Sequence, residues 1–100
     1  GDRNDSRSEP VLIADLVGSC VRRGESIGWE RGVSVALRTA THGGSLCMGD
    51  RSRLDRLLAN LVDNATKYTP RGGHVWIDST LTRIEGRPAV AISVTVKVKA

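Results

Sequence analysis

The sequence predicts an α/β (α+β) domain, a two-layer sandwich with helices on one face of a mixed β-sheet. Three observations lead there. Strand-like and helix-like segments follow the order strand, helix, strand, strand, helix, strand, strand. Each helical segment is apolar along one face only. The strand segments alternate apolar and polar residues, so they too have a single face to bury, and the two kinds of face can cover each other.

Residues 1–8, Gly1 to Ser8, are polar and aperiodic, and they read as a flexible tail ahead of one domain over 9–100. After Pro10, Val11-Leu12-Ile13 opens a short strand, placed at 10–13. Leu16, Val17, Cys20 and Val21 then recur at helical spacing from Ile13, which predicts a helix over about 14–23. Gly24 stands where a glycine ends a helix, and Gly28 to Gly32 reads as a loop carrying Trp29. Val33, Val35 and Leu37 alternate with Ser34, Ala36 and Arg38 as a half-buried strand. Thr41-His42-Gly43-Gly44 is a turn, and Leu46-Cys47-Met48 is another short strand.

The segment Arg51 to Tyr68 is the clearest element. Asp50 is a good N-cap, and Leu54, Leu57, Leu58, Leu61, Val62 and Ala65 mark one helix face. Thr69-Pro70-Arg71-Gly72-Gly73 ends it, because proline cannot continue a helix and the glycines favour a turn. His74, Trp76 and Asp78 alternate with Val75 and Ile77. A turn at Ile84 to Gly86 returns the chain into the β-branched run Ala89 to Val98, so residues 74–83 and 89–98 form a hairpin.

Composition narrows the function classes. One hundred residues make one small domain. Net charge is +4, from 12 Arg and 3 Lys against 11 acids, with the acids interspersed among the bases. No dense basic block with neighbouring aromatics stands out, which argues against nucleic acid as a partner and leaves small anions such as nucleotides. Cys20 and Cys47 lack metal-site spacing and read as free, buried thiols of a cytoplasmic protein. His42 and His74 lie in a turn and a strand and read as surface residues. No run is apolar and long enough to cross a membrane.

The chemistry sits on one flank of the second helix. At about 100° per residue, Asn60, Asn64 and Lys67 fall within roughly 60° of one another, beside the apolar stripe. Asparagine is a poor interior helix residue, because its amide competes for backbone hydrogen bonds, so two of them on one flank call for a reason. One reason is structural: amides at the edge of the core that bond water or loop carbonyls. The other is chemical: a neutral oxygen donor suited to Mg²⁺, beside an ammonium that a phosphate would neutralise.

The letters around these residues favour the second. Asn60-Leu61, Asn64-Ala65 and Lys67-Tyr68-Thr69-Pro70 stand in the register N-L-x-x-N-A-x-K-Y-T-P, which resembles the N-box of bacterial sensor histidine kinases. Gly49-Asp50 with Arg53-Leu54 before it, Gly72-Gly73 with Val75 after it, and Glu9-Pro10-Val11 through Leu16-Val17 are similar to the same family, so the resemblance covers about residues 9–96. It implies the Bergerat-type fold of an ATP-binding catalytic domain. By the same resemblance Asn64 ligates Mg²⁺, Asn60 lies beside the phosphates, Lys67 contacts a phosphate and Tyr68 packs near the nucleotide. The implied reaction moves the γ-phosphoryl group of ATP to a histidine on a separate dimerisation domain, with a response regulator downstream. The implied setting is cytoplasmic, within a parent that can itself be membrane-anchored.

The departure from the family comes later. Its next motif, D-x-G-x-G, belongs at the end of the strand after the hairpin turn, and its Asp reads the adenine amino group. Here that strand reads Ser93-Val94-Thr95-Val96-Lys97-Val98, with neither Asp nor Gly. The expectation is half of an ATP domain, with the phosphate and Mg²⁺ wall but not the adenine wall. The rival is a non-catalytic module derived from that domain, which self-associates as a homodimer through its last strand.

Overall fold

A computed structural model describes residues 8–98. The tail expected over 1–8 lies outside the described residues except for Ser8. The elements follow the predicted order: β1 (Glu9–Leu12), α1 (Ile13–Arg31), β2 (Ser34–Ala40), β3 (Leu46–Gly49), α2 (Arg51–Tyr68), β4 (His74–Ile84) and β5 (Arg87–Lys97). β1 and β3 pair antiparallel as a small ribbon. The main sheet runs β2-β4-β5, with β2 parallel to β4 and β4 antiparallel to β5, so it is mixed. Both helices cover the face that carries Val35, Val75 and Ile77. These close a single core with Val11, Ile13, Leu16, Val17, Cys20, Val33, Leu58 and Val62.

Helix α2 spans the predicted residues, and its signals act as expected. The Asp50 carboxylate accepts from the Ser52 and Arg53 amides at 3.0 and 3.3 Å, satisfying two of the free N–H groups of the first turn. At the other end the chain leaves the helix at Thr69-Pro70. The Thr69 hydroxyl donates back to the Ala65 carbonyl at 2.6 Å, and the Arg31 guanidinium donates to the Lys67 carbonyl at 2.7 Å.

Helix α1 corrects the sequence reading. It continues past Gly24 to Arg31, so Gly24, Gly28 and Trp29 are helical and no loop spans 28–32. The glycines here permit contact instead of ending the helix. A Cβ on Gly24 would lie 2.6 Å from Val35 Cγ1 and 2.8 Å from Val62 Cγ2, and one on Gly28 would collide with the Val33 carbonyl oxygen. With Cys20 they form a buried i, i+4, i+8 stripe that brings the helix backbone close to β2. The glycine that does end the helix is Gly32, whose φ of 70° is the left-handed cap. Trp29 points outward, 88% exposed.

Three smaller expectations also change. Leu37 is 41% exposed, midway along edge strand β2 where a register shift interrupts the pairing with β4. His42 is buried rather than on the surface, with Nδ1 2.8 Å from the hydroxyl of the fully buried Ser79. Cys20 is buried as expected, whereas Cys47 is only half-buried. The hairpin forms as predicted: Ile84 pairs with Arg87 around a two-residue turn in which Glu85 and Gly86 both have positive φ, the turn that matches strand twist.

Candidate functional site

The α1–α2 pair fixes the orientation of the candidate site. The Arg23 guanidinium grips the Asp63 carboxylate with two hydrogen bonds of 2.7 Å, a fork that sets one helix against the other. Those bonds hold the Asp63 carboxyl below the usual carboxylate range. Cys20, on the buried side of the same seam, has its thiol pushed up, first by burial and then by the Asp63 charge, and so it stays protonated.

With α1 packed on the Asp63 side, the buried face of α2 is narrow. Leu58, Val62 and Thr66 form it, and the Thr66 hydroxyl donates to the Val62 carbonyl at 2.7 Å. Leu57 and Leu61, expected in the core, are 58% and 44% exposed. They project from the side of the helix away from α1, and the stripe of six apolar residues is wider than the surface that covers it.

This narrowing moves the chemical flank outward. Asn60, Asn64 and Lys67 are all exposed, and Tyr68 is 79% exposed. By helical geometry the first three lie roughly 120–180° round the axis from Leu58, so they face away from the core instead of bordering it. Among the described residues the amides of Asn60 and Asn64 make no hydrogen bond, so the structural role of bonding a loop carbonyl is unfilled. The predicted residues therefore come together on one open flank, next to the exposed leucines.

The C-terminal end of that flank opens into a cleft of about 430 Å³ between the ends of the two helices. Lys67 and Tyr68 of α2, Glu30 and Arg31 of α1, and Arg71 just beyond α2 are among the residues that line it. Sequence reasoning missed Arg31 and Arg71 as part of the site. Arg71 could have been noticed as the one charged letter between Thr69-Pro70 and Gly72-Gly73, but only the fold brings α1 to it.

No protein-family model matches the chain. The signal transduction histidine-protein kinase/phosphatase MprB of Mycobacterium tuberculosis is 32% identical over 88 residues, covering 77% of this chain. An uncharacterized sensor-like histidine kinase of Rhizobium meliloti is 32% identical over 73 residues, covering 73% of it. The chain spans 14% of the length of each of these relatives. Among solved structures, a histidine kinase from Burkholderia phymatum superposes with a TM-score of 0.71 at 24% identity, over 77% of this chain and 35% of that one. The cytoplasmic segment of histidine kinase QseC superposes at 0.64 and 17% identity, over 98% of this chain and 80% of that one. The chain belongs to the sensor histidine kinases and carries the fold of their catalytic domain.

Proposed function

We propose that this chain forms the phosphate and magnesium wall of an ATP-binding histidine kinase catalytic domain. The observation that carries the reading is the pair Asn60 and Asn64, exposed, free of hydrogen bonds among the described residues and aligned with Lys67. Asn64 offers one neutral oxygen, which fits an Mg²⁺ ion that takes its other ligands from phosphate and water. The ion would neutralise charge that develops on the phosphates during transfer. Asn60 lies one turn earlier on the same flank, where its amide can donate to a phosphate oxygen. Lys67 supplies the compact positive charge. Tyr68 and the exposed Leu57 and Leu61 offer the apolar surface on which a nucleotide rests. Asp63, the nearest acid on the helix, is engaged by Arg23 and does not compete for the cation.

In the complete reaction a histidine on a separate dimerisation domain accepts the γ-phosphoryl group, and a response regulator takes it onward. The adenine end is the weak side of this site. β5 carries no Asp and no Gly through Ser93 to Lys97, so its backbone offers neither the acidic adenine reader nor the close approach of the family motif. Phosphate contacts alone discriminate poorly among nucleotides. The affinity of this chain for Mg-ATP should accordingly be weaker than about 10 µM, close to 7 kcal/mol.

Paramagnetic relaxation tests the site despite weak binding. With Mn²⁺ in place of Mg²⁺ and ATP in excess, the side-chain amide resonance of Asn64 should broaden first and those of Asn60 and the Lys67 region next. Asn64→Ala should abolish the ATP-dependent part of that broadening. Broadening centred away from α2, or unchanged in Asn64→Ala, rejects the reading.

A further inference from the structure

The cleft at the C-terminal ends of α1 and α2 holds three cations and one acid. Arg31, Lys67 and Arg71 line it, opposed by Glu30 on the α1 wall. Cations near helix C-termini are ordinary, since they offset the partial negative charge of free carbonyls. That accounts for Arg31, which donates to the Lys67 carbonyl. It does not account for Arg71, which lies beyond the helix.

Arg71 is held in place without being engaged. Its side chain lies across Gly32, where an added Cβ would stand 2.6 Å from Nη1, 2.8 Å from Cγ and 3.1 Å from Cζ. Gly32 is a glycine for its φ of 70°, and its bare Cα also makes the seat for this guanidinium. The backbone beneath is pinned: the Gly72 amide donates to the Gly32 carbonyl at 2.7 Å, and the Ser34 amide donates to the Gly73 carbonyl at 3.1 Å. Yet among the described residues the Arg71 guanidinium makes neither a hydrogen bond nor an ion pair. A planar fork of five donors, resting against Gly32 and left open to solvent, is suited to receive an anion.

We propose that Arg71, with Lys67 beside it and Arg31 across the cleft, binds a phosphate group at the C-terminal end of the α2 flank. This inference rests on the reading of that flank as a phosphate wall and extends it by one subsite. Asn64 and Lys67 are separated by about 4.5 Å along the axis, so a polyphosphate lying on Asn64 reaches the cleft with its next phosphate. The ligand chemistry is a phosphate oxyanion, supplied by the tail of a nucleotide or by free polyphosphate. Arg71 is a binding residue that acts by charge-assisted, two-pronged hydrogen bonds and needs no metal.

Inorganic tripolyphosphate, titrated into the chain without divalent cations and followed by NMR, provides the test. Saturable shifts are expected at the Arg71 side-chain Nε–H and at the Lys67, Gly72 and Gly73 amides. Arg71→Ala should weaken the apparent affinity about tenfold, the size of one charged hydrogen-bonding fork, and Arg71→Lys should recover only part of it. Arg83→Ala, at the β4–β5 turn, should leave it unchanged. Backbone spectra of each variant verify that the fold is kept. A second titration with AMP and with ATP separates the sources: Arg71-dependent binding of ATP but not AMP assigns the site to a nucleotide tail, and binding of tripolyphosphate alone assigns it to free polyphosphate. Affinity for tripolyphosphate that is equal in wild type and Arg71→Ala overturns the proposal. The Mn²⁺ experiment above fails or succeeds independently, because it reads Asn64 only when metal is present.

Discussion

The two helices have similar lengths and lie side by side, but the sequence means different things in each. Helix α2 is bounded by its own letters: Asp50 caps its start and Thr69-Pro70 stops it. Helix α1 runs through letters that ordinarily stop helices, and it carries Gly18, Gly24 and Gly28 inside. The difference is where the glycines face. Gly24 and Gly28 sit on the buried stripe, where the absence of a side chain lets β2 approach, whereas α2 buries ordinary side chains and spends its poor helix formers on an exposed flank. A residue with low helix propensity thus marks close packing at Gly24 and Gly28 in one helix and stands on an exposed flank in the other.

The largest expected effect comes from filling the α1 seam. Gly28→Ala places a methyl against the Val33 carbonyl, a backbone atom that cannot rotate away. Destabilisation of about 2–3 kcal/mol is expected, even after the gain in helix propensity, and a melting temperature lower by roughly 10 °C or more. Gly18→Ala is the contrasting change in the same helix. Its Cβ meets only the far end of the Arg22 side chain, at 3.3 Å, so it should stabilise by up to about 1 kcal/mol. Thermal melts of the two variants check this directly; equal effects would mean that the glycines do not differ in role.

These positions also show how far the sequence could be read. The element order, the bounds of α2, its cap and the β4–β5 hairpin were legible because each has a local cause: periodicity, a capping carboxylate, a proline, a turn. The extent of α1 was not, since whether Gly24 ends a helix or packs within one depends on Val35 and Val62, which are distant in sequence. Leu57 and Leu61 looked like core because periodicity reports which residues share a face, and not how much of that face is covered. His42 looked like a surface turn residue because its partner Ser79 is 37 positions away. For the candidate site, a local pattern singles out Asn60, Asn64, Lys67 and Tyr68, whereas only tertiary folding brings Arg31 and Arg71 to the same cleft as Lys67 and Tyr68.

A middle-sized effect belongs to the bond between the helices. Asp63 has its carboxyl held down mainly by the hydrogen bonds from Arg23, so the folded state prefers the ionised form. The stability from this pair is present above the unfolded-state value, about pH 4, and is lost as pH falls through the lower folded-state value. Because Arg23 is 51% exposed and Asp63 31%, solvent screens the pair, and the contribution at neutral pH should stay below about 1 kcal/mol. Asp63→Asn should cost that amount at pH 7 and flatten the fall in denaturant midpoint below pH 4. A variant whose acid dependence matches the wild type would show that the pair does not join the helices energetically.

The smallest effect is the one that bears most on function, and its sign is the informative part. If Asn60 and Asn64 were structural, each replacement by Ala would remove a satisfied amide and lower stability by about 1 kcal/mol. They are exposed, and among the described residues their amides bond to nothing, while Asn is worse than Ala in a helix interior by roughly half a kcal/mol. Asn60→Ala and Asn64→Ala should therefore each raise stability, by up to about 0.5 kcal/mol, and the two gains should nearly add, since the side chains hold no shared partner. Chemical denaturation with matched slopes resolves a change of this size when the double variant is compared with the wild type. A double variant more stable than the wild type, yet blind to Mn-ATP, means that these residues weaken the helix in order to hold a ligand. A loss of stability would return them to the structural role, and α2 would then differ from α1 only in how its ends are written.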